Sequence, residues 1–257
     1  MKKTEFGLKQ AEKRWPEVPE IDLLTVPYGN GYLTVAHPSF GSASYNTNLA
    51  QMQKTHFHSR NQPEVSFREL TTPESIAAAV YDFGKMAKPH IFDSNWLQIG
   101  RIVRTSAGVF ANVSKDKQGA SITNLKQYLD KSEKFKVRNG HIYLGENDFG
   151  FAEYETFAQG VQDCDTFAES GLARVLEHTK NTAQNLRRIA SPKFYKLGVN
   201  VLGFDSVSEP ALRVARLRSD RYIGGGRLNV DGNGWLGYNG FAFGGLKSGE
   251  ASALKNK

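Results

Sequence analysis

Asn-Gly pairs and other glycine turns divide this sequence into short β-like segments. Asn30-Gly31 separates two apolar runs, and Asn139-Gly140 stands at the centre of "KFKVRNGHIYLG". Asn-Gly favours a two-residue hairpin because both residues tolerate a positive φ angle. The same argument predicts turns at Ser106-Ala107-Gly108 and at Asp231-Gly232 or Asn233-Gly234. We therefore expect antiparallel hairpins along much of the chain.

Two regions have the helical period instead. "TTPESIAAAVYDFGKMAKP" starts with Thr72, a good N-cap, and Pro73, which suits the first helical position. Apolar residues between 157 and 189 also recur at helical spacing, but Gly160 and Gly171 interrupt them, which predicts two or three helices. The order is strands, helix, hairpins, helices and strands. It predicts an α+β fold, mostly antiparallel sheet with β-hairpins, a central helical region and a C-terminal β segment.

Length and turn composition predict the domain organisation. A chain of 257 residues can bury a sizeable core. We expect a single α+β domain over residues 16–246, and the linker-like stretch 114–121 leaves a subdivision open. A flexible or helical arm (1–15) and a loose tail (247–257) are expected to flank it.

Cysteine content and hydropathy suggest a cellular compartment. Cys164 is the only cysteine, which excludes an internal disulfide and a cysteine-rich zinc site and fits a reducing environment. The charged opening "MKKTEFGLKQ" leads into no apolar stretch, and "SIAAAVYDF" is too short to cross a bilayer. We expect a soluble, cytoplasmic protein without a membrane partner.

The net charge of +7 comes from one segment. Residues 180–227 contain ten Lys or Arg and three acids, whereas the rest of the chain holds 23 of each. Seven of the ten cations are arginine, which binds phosphate in a bidentate manner and stacks on planar groups. Phe194, Tyr195 and Tyr222 are interleaved with them.

This pattern predicts a polyanion-binding protein, with RNA or DNA as the foremost partner. The arginines expected to bind phosphate are Arg187, Arg188, Arg213, Arg216, Arg218, Arg221 and Arg227. The alternative is that these arginines pair with acids of the helical region and leave no basic patch.

A second hypothesis is an enzyme that acts on a phosphorylated or acidic substrate. His56 and His58 would share one face of a strand and could bind a divalent metal. A pocket joining them to the arginines would favour this reading. A third hypothesis is an assembly protein without catalysis, and the sequence leaves open whether the protein is a homo-oligomer.

The C-terminal stretch "NGFAFGGL" resembles the centre of an RNA-recognition strand motif, but only eleven residues follow it. That length is too short for the helix and strand that such a domain still needs, so we expect an ordinary β-strand here and not an RNA-recognition strand. A regular strand would place Trp235, Phe241 and Phe243 on one face, and we expect these three residues to be core. The alternative is an exposed aromatic platform on which bases stack.

Overall fold

The computed structural model describes residues 21–57, 65–81, 96–112, 137–138, 141–144, 147–220 and 226–246, together with positions 125 and 129. Within these residues, sixteen strands, five α-helices and one 3-10 helix (Tyr154–Thr156) form an α+β fold with mostly antiparallel sheets, as the sequence predicts. The expected arm (1–15), the linker-like stretch (114–121) and the tail (247–257) lie outside the described residues.

The elements are numbered in chain order. The strands are β1 (Asp22–Tyr28), β2 (Gly31–His37), β3 (Phe40–Ser44), β4 (His56–Phe57), β5 (Val65–Glu69), β6 (Leu97–Arg104), β7 (Gly108–Asn112), β8 (Val137–Arg138), β9 (His141–Leu144), β10 (Asn147–Glu153), β11 (Gly160–Gln162), β12 (Val199–Leu202), β13 (Ala211–Ser219), β14 (Leu228–Gly234), β15 (Asn239–Ala242) and β16 (Gly244–Leu246). The helices are α1 (Tyr45–Lys54), α2 (Thr72–Tyr81), α3 (Cys164–Glu169), α4 (Gly171–Glu177) and α5 (Gln184–Ile189).

The smaller sheet has five strands in the order β1-β2-β16-β5-β4. β1 and β2 form the hairpin that Asn30-Gly31 predicts, with Tyr28 opposite Gly31. β16 comes from the far end of the chain and pairs with both β2 and β5. The sheet therefore joins segments that lie about 200 residues apart in sequence.

The larger sheet has eleven strands, nine of them in the order β11-β12-β14-β13-β6-β7-β10-β9-β8. β6 and β7 form the hairpin predicted around Ser106-Ala107. β15 pairs with β6 in parallel and with β3 antiparallel, and β12 pairs with β14 in parallel. β13, which carries three of the predicted arginines, pairs with β6 on one edge and β14 on the other and therefore lies in the interior of the sheet.

The predicted turn at Asp231-Gly232 or Asn233-Gly234 is wrong, because both pairs lie inside β14. The glycines are required by crowding. A Cβ on Gly232 would come within 2.5 Å of the Phe204 ring, and one on Gly234 within 2.4 Å of the Val214 carbonyl. A register shift between β13 and β14 marks a bulge at this point. Glycine here allows a close approach between strands and does not mark a turn.

The main core lies between the larger sheet and the helices. Leu172 and Leu176 of α4 and Leu186 and Ile189 of α5 are fully buried in it. The three short helices α3 to α5 confirm the predicted interruption of the helical region. Smaller clusters fill the space around Phe67 and, on the other side of the larger sheet, around Phe110.

The start of α2 is fixed by a capping box one residue earlier than predicted. The Thr71 hydroxyl accepts a hydrogen bond from the Glu74 amide at 3.4 Å, and the Glu74 carboxylate accepts one from the Thr71 amide at 3.0 Å. Thr71 therefore acts as the N-cap residue in place of Thr72. The sequence Thr-Thr-Pro-Glu satisfies the helix terminus only in this register, because Glu74 must stand three residues after the cap.

The N-terminus of α5 has no capping side chain at its N-cap residue, Ala183. The Glu177 carboxylate, from the end of α4, fills this role. It accepts hydrogen bonds of 3.0 Å from the amides of Asn185 and Leu186. Burial nevertheless raises the pKa of Glu177 above its usual value, and the two backbone hydrogen bonds oppose that shift only in part.

This raised pKa predicts a pH-dependent effect of Glu177→Gln. The folded protein binds the Glu177 proton more tightly than the unfolded chain, so this group's contribution to stability is complete below the unfolded pKa. It is lost as pH rises through the folded pKa. Glutamine does not titrate, so the free energy of unfolding of the variant, minus that of the wild type, should increase from pH 4 to pH 7. Denaturant unfolding at several pH values measures this difference, and a flat or falling difference would contradict the assignment.

Candidate Arg–aromatic binding face

Strand β13 distributes its arginines between two sides of the larger sheet. Ala215 and Leu217 point into the main core. Because side chains alternate along a strand, Arg216 and Arg218 point to the opposite side, whereas Arg213 shares the side of the core. The predicted arginines of β13 therefore do not form one patch.

Arg216 is buried between two aromatic rings and a carboxylate. Its guanidinium carbon lies 4.2 Å from the ring centre of Trp96 and 5.3 Å from that of Tyr238. One of its amino groups donates to Asp231, and both side chains are buried. Asp231 also accepts a hydrogen bond of 2.8 Å from the Asn233 amide. The charge of Arg216 is thus compensated inside the protein, and its stacking holds both rings in place.

Arg218 and Arg227 lie on the same side of the sheet as Arg216. Unlike Arg216, neither has a carboxylate partner among the described residues. Arg218 lies 5.3 Å from the Trp96 ring centre. In the described part of the chain neither arginine forms an ion pair, and the buried Nε atom of each has no hydrogen-bond partner. Asn229 stands directly opposite Arg218 and accepts a hydrogen bond of 3.1 Å from Asn200 on β12.

We call this side of the sheet the Arg–aromatic face. It consists of Trp96, Arg216, Arg218, Arg227, Asn229 and Tyr238. Tyr238 is 50% exposed. The face combines guanidinium groups, an exposed aromatic ring and an amide, and the guanidinium groups of Arg218 and Arg227 form no ion pair with a described residue. Such a combination can bind anionic groups and stack on planar ones.

The other predicted arginines lie elsewhere. Arg187 and Arg188 belong to α5, whose apolar side packs into the main core, so they stand on the opposite side of the sheet from the Arg–aromatic face. Arg187 pairs with Asp165 at 2.7 Å, and both side chains are exposed. An exposed pair of this kind contributes little stability. Arg221 lies outside the described residues.

The proposed metal ligands remain a prediction. The backbone of His56 forms the two-residue strand β4, and His58 lies outside the described residues. Among the side chains that the structure describes, no three His, Cys, Asp or Glu residues come together as a metal site would require.

The three aromatic residues of the C-terminal segment differ in burial, whereas the prediction placed all of them in the core. Phe243 is buried and Phe241 partly buried, as expected, but Trp235 is 52% exposed and the prediction of a core position is wrong. The turn at residues 235–238 explains the error. The Tyr238 amide donates to the Trp235 carbonyl at 2.9 Å, so Trp235 to Phe243 do not form the single regular strand that the prediction assumed. Trp235 instead covers the guanidinium of Arg213 at 4.1 Å.

Two surface pockets bear on the enzyme hypothesis. One, of ≈ 400 Å³, is lined by Cys164, Asp163 and Lys196, among others, and burial raises the pKa of the Cys164 thiol. A thiol with a raised pKa is a poor nucleophile. The second, of ≈ 310 Å³, is lined by Glu177, His178 and residues near them. Among the described residues that line these two pockets there is no arginine of the Arg–aromatic face.

Sequence reasoning missed Trp96, Asn229 and Tyr238 as members of the face. Trp96 precedes β6, Asn229 lies in β14 and Tyr238 precedes β15. The pairing of β13 with β6 and β14, and of β15 with β6, brings these residues together. The available signal was the cation–aromatic composition of the C-terminal third, which does not reveal which side each residue faces.

Comparisons with known proteins identify no family. No protein-family model matches the chain, and no curated protein matches it. A solved structure described as "Accommodation of massive sequence variation in Nanoarchaeota by the C-type lectin fold" is similar over 82% of this chain and 99% of its own, with 17% identity and a TM-score of 0.48. At this level the similarity assigns neither a family nor an activity to the chain. Within the described residues, no helix has the length and apolar character needed to cross a membrane.

Proposed function

We propose that the protein binds a polyanion through the Arg–aromatic face, and that single-stranded RNA or DNA is the foremost ligand. The observation that carries the proposal is the stacked arrangement of Arg216 and Arg218 on Trp96, beside the half-exposed ring of Tyr238. Single-strand binding proteins combine cations that track the phosphate backbone with aromatic rings on which bases stack.

The roles within the face differ. Arg218 and Arg227 contact phosphate, because they have no carboxylate partner in the described part of the chain. Tyr238 stacks on a base. Arg216 positions Trp96 and Tyr238, because its own charge is already paired with Asp231. Asn200 and Asn229 supply amide groups at the border of the face.

Salt-dependent binding of a short fluorescent single-stranded oligonucleotide tests the proposal. The logarithm of the affinity should fall linearly with the logarithm of the salt concentration, by about 0.7 for each phosphate contact. Arg218→Gln should reduce the slope by about 0.7 and weaken binding at every salt concentration. Tyr238→Ala should weaken binding by about 1–3 kcal/mol and leave the slope unchanged, because stacking releases no counterions.

Arg188→Gln is the matched control. It removes one arginine from the same basic segment, but from an exposed position on α5. We expect it to leave both the affinity and the slope unchanged. If Arg218→Gln and Arg188→Gln weaken binding equally, binding depends on the total positive charge of residues 180–227 and not on the Arg–aromatic face. Absence of binding at low salt would overturn the proposal, and binding to an acidic protein in its place would assign the face to protein recognition.

A further inference from the structure

A second arginine cluster lies on the other side of the larger sheet. Arg104, at the end of β6, pairs in register with Ala211 of β13, two residues before Arg213. Asn233 accepts a hydrogen bond from each arginine through the same oxygen. The distances to its Oδ1 atom are 3.4 Å from Arg104 Nη2 and 3.3 Å from Arg213 Nε. One neutral amide thus holds two guanidinium groups together.

The positive charge of this cluster is not compensated by the described residues. Neither arginine forms an ion pair with a carboxylate in the described part of the chain. Arg104 is only 6% exposed. Its Nη1 atom donates to the Gly203 carbonyl at 2.5 Å, and its Nε atom has no described partner. A buried cation is costly unless an anion or several hydrogen bonds offset the loss of hydration.

The two arginines affect each other. Burial lowers the pKa of Arg213 below its usual value, and the charge of Arg104 lowers it further. Arginine remains protonated at neutral pH despite such a shift. The cluster therefore carries two like charges at close range, which an added anion would stabilise.

The cluster is accessible from solvent on one side. The Trp235 ring covers Arg213 at 4.1 Å and is itself half exposed. Asn233 is also exposed, and Arg213 is partly so. A small oxyanion can therefore reach Arg213 and Asn233 beside the indole ring, and Arg104 is the buried member of the cluster.

We propose that Arg104, Arg213 and Asn233 form a binding site for a phosphate group, closed on one side by Trp235. A phosphate dianion would neutralise both guanidinium groups, and the planar donors of arginine suit two parallel hydrogen bonds to such an oxyanion. The Asn233 amide nitrogen adds a neutral donor. This site uses residues other than those of the Arg–aromatic face, so it stands independently of the proposed function.

Titration with inorganic phosphate at constant ionic strength and neutral pH tests the site. Trp235 lies against Arg213, so its fluorescence should change with saturable dependence on phosphate, and calorimetry should give the same affinity. Arg213→Gln should weaken phosphate binding about tenfold to hundredfold, because a hydrogen bond to a charged group is the stronger class. Denaturant unfolding in phosphate-free buffer should show that Arg213→Gln is folded, so that its weaker phosphate binding does not reflect loss of structure.

Three controls make the result decisive. Trp235→Phe should abolish the fluorescence signal and keep calorimetric binding. Arg188→Gln, on an exposed helix surface, should bind phosphate as the wild type does. Acetate, which carries one charge, should bind more weakly than phosphate. Equal phosphate affinity of wild type and Arg213→Gln, or equal affinity for acetate and phosphate, would overturn the proposal. Loss of oligonucleotide binding alone would not affect it, because that concerns the other side of the sheet.

Discussion

Replacement of Asp231 by alanine is expected to lower the free energy of unfolding by about 3–5 kcal/mol. Asp231 is the carboxylate that compensates the buried guanidinium of Arg216. Its removal leaves that cation buried between Trp96 and Tyr238 with no opposite charge. The Asn233 amide would lose its acceptor in the same step. Denaturant unfolding of wild type and variant measures the loss.

This loss is large against the total stability of a typical domain, about 5–15 kcal/mol, and Asp231→Ala alone can therefore unfold the protein. A double variant that removes both charges provides the comparison. Arg216→Met with Asp231→Leu removes the charge pair and keeps the volume. It should recover most of the stability, because apolar residues often replace a buried pair without loss. A cost below about 1 kcal/mol for Asp231→Ala would mean that the pair behaves as a surface salt bridge.

The double variant also separates the structural role of Arg216 from its proposed functional role. If Arg216 positions Trp96 and Tyr238, a folded double variant should bind the oligonucleotide more weakly with a nearly unchanged salt slope. If Arg216 itself contacts phosphate, as the sequence predicts, the slope should fall as it does for Arg218→Gln.

Glu74→Gln is expected to produce the second large effect, a loss of about 3 kcal/mol in the free energy of unfolding. The Glu74 side chain is only 1% exposed. It accepts two hydrogen bonds of 2.8 Å from Arg68 and also closes the capping box of α2 through the Thr71 amide. Glutamine keeps the shape but removes the charge that compensates Arg68, and its amino group cannot accept a hydrogen bond.

Glu69→Gln provides the comparison for Glu74→Gln. Glu69 also forms an ion pair with an arginine, Arg101 of β6, and accepts a hydrogen bond of 2.5 Å from Tyr45. Its side chain is 24% exposed, so water can replace part of the interactions with Arg101 and Tyr45 that the substitution weakens. We expect the smaller loss for Glu69→Gln when both are measured by the same unfolding experiment. A larger loss for Glu69→Gln would show that burial does not determine the cost here.

Local features of the fold could be predicted from the sequence, and long-range features could not. The hairpin at Asn30-Gly31 and the helix that begins near Thr72 depend on residues close in sequence, and both are confirmed. The parallel pairing of β12 with β14 and the insertion of β16 depend on partners far along the chain. No turn or capping signal reports such partners.

The Asp231-Gly232-Asn233-Gly234 stretch shows the physical reason for the errors. Glycine both permits turns and allows close contact between elements, and the sequence does not distinguish these uses. Here Phe204 and Val214 occupy the space that side chains would need. The same limit applies to the candidate site, because the side of the sheet that Arg213 or Arg216 faces depends on pairings remote in sequence. The sequence shows that residues 180–227 are rich in arginine, but it does not show that these arginines divide between the two sides of the larger sheet.

The position of β16 has a consequence for synthesis of the protein. The five-stranded sheet begins with residues 22–37, yet its central strand is formed by Gly244–Leu246. During translation, β1 and β2 leave the ribosome long before their neighbour exists. The edge of β2 therefore stays open until nearly the whole described chain has emerged, and it can pair with other chains in that interval. Chaperone protection of the nascent N-terminal hairpin would shorten that exposure.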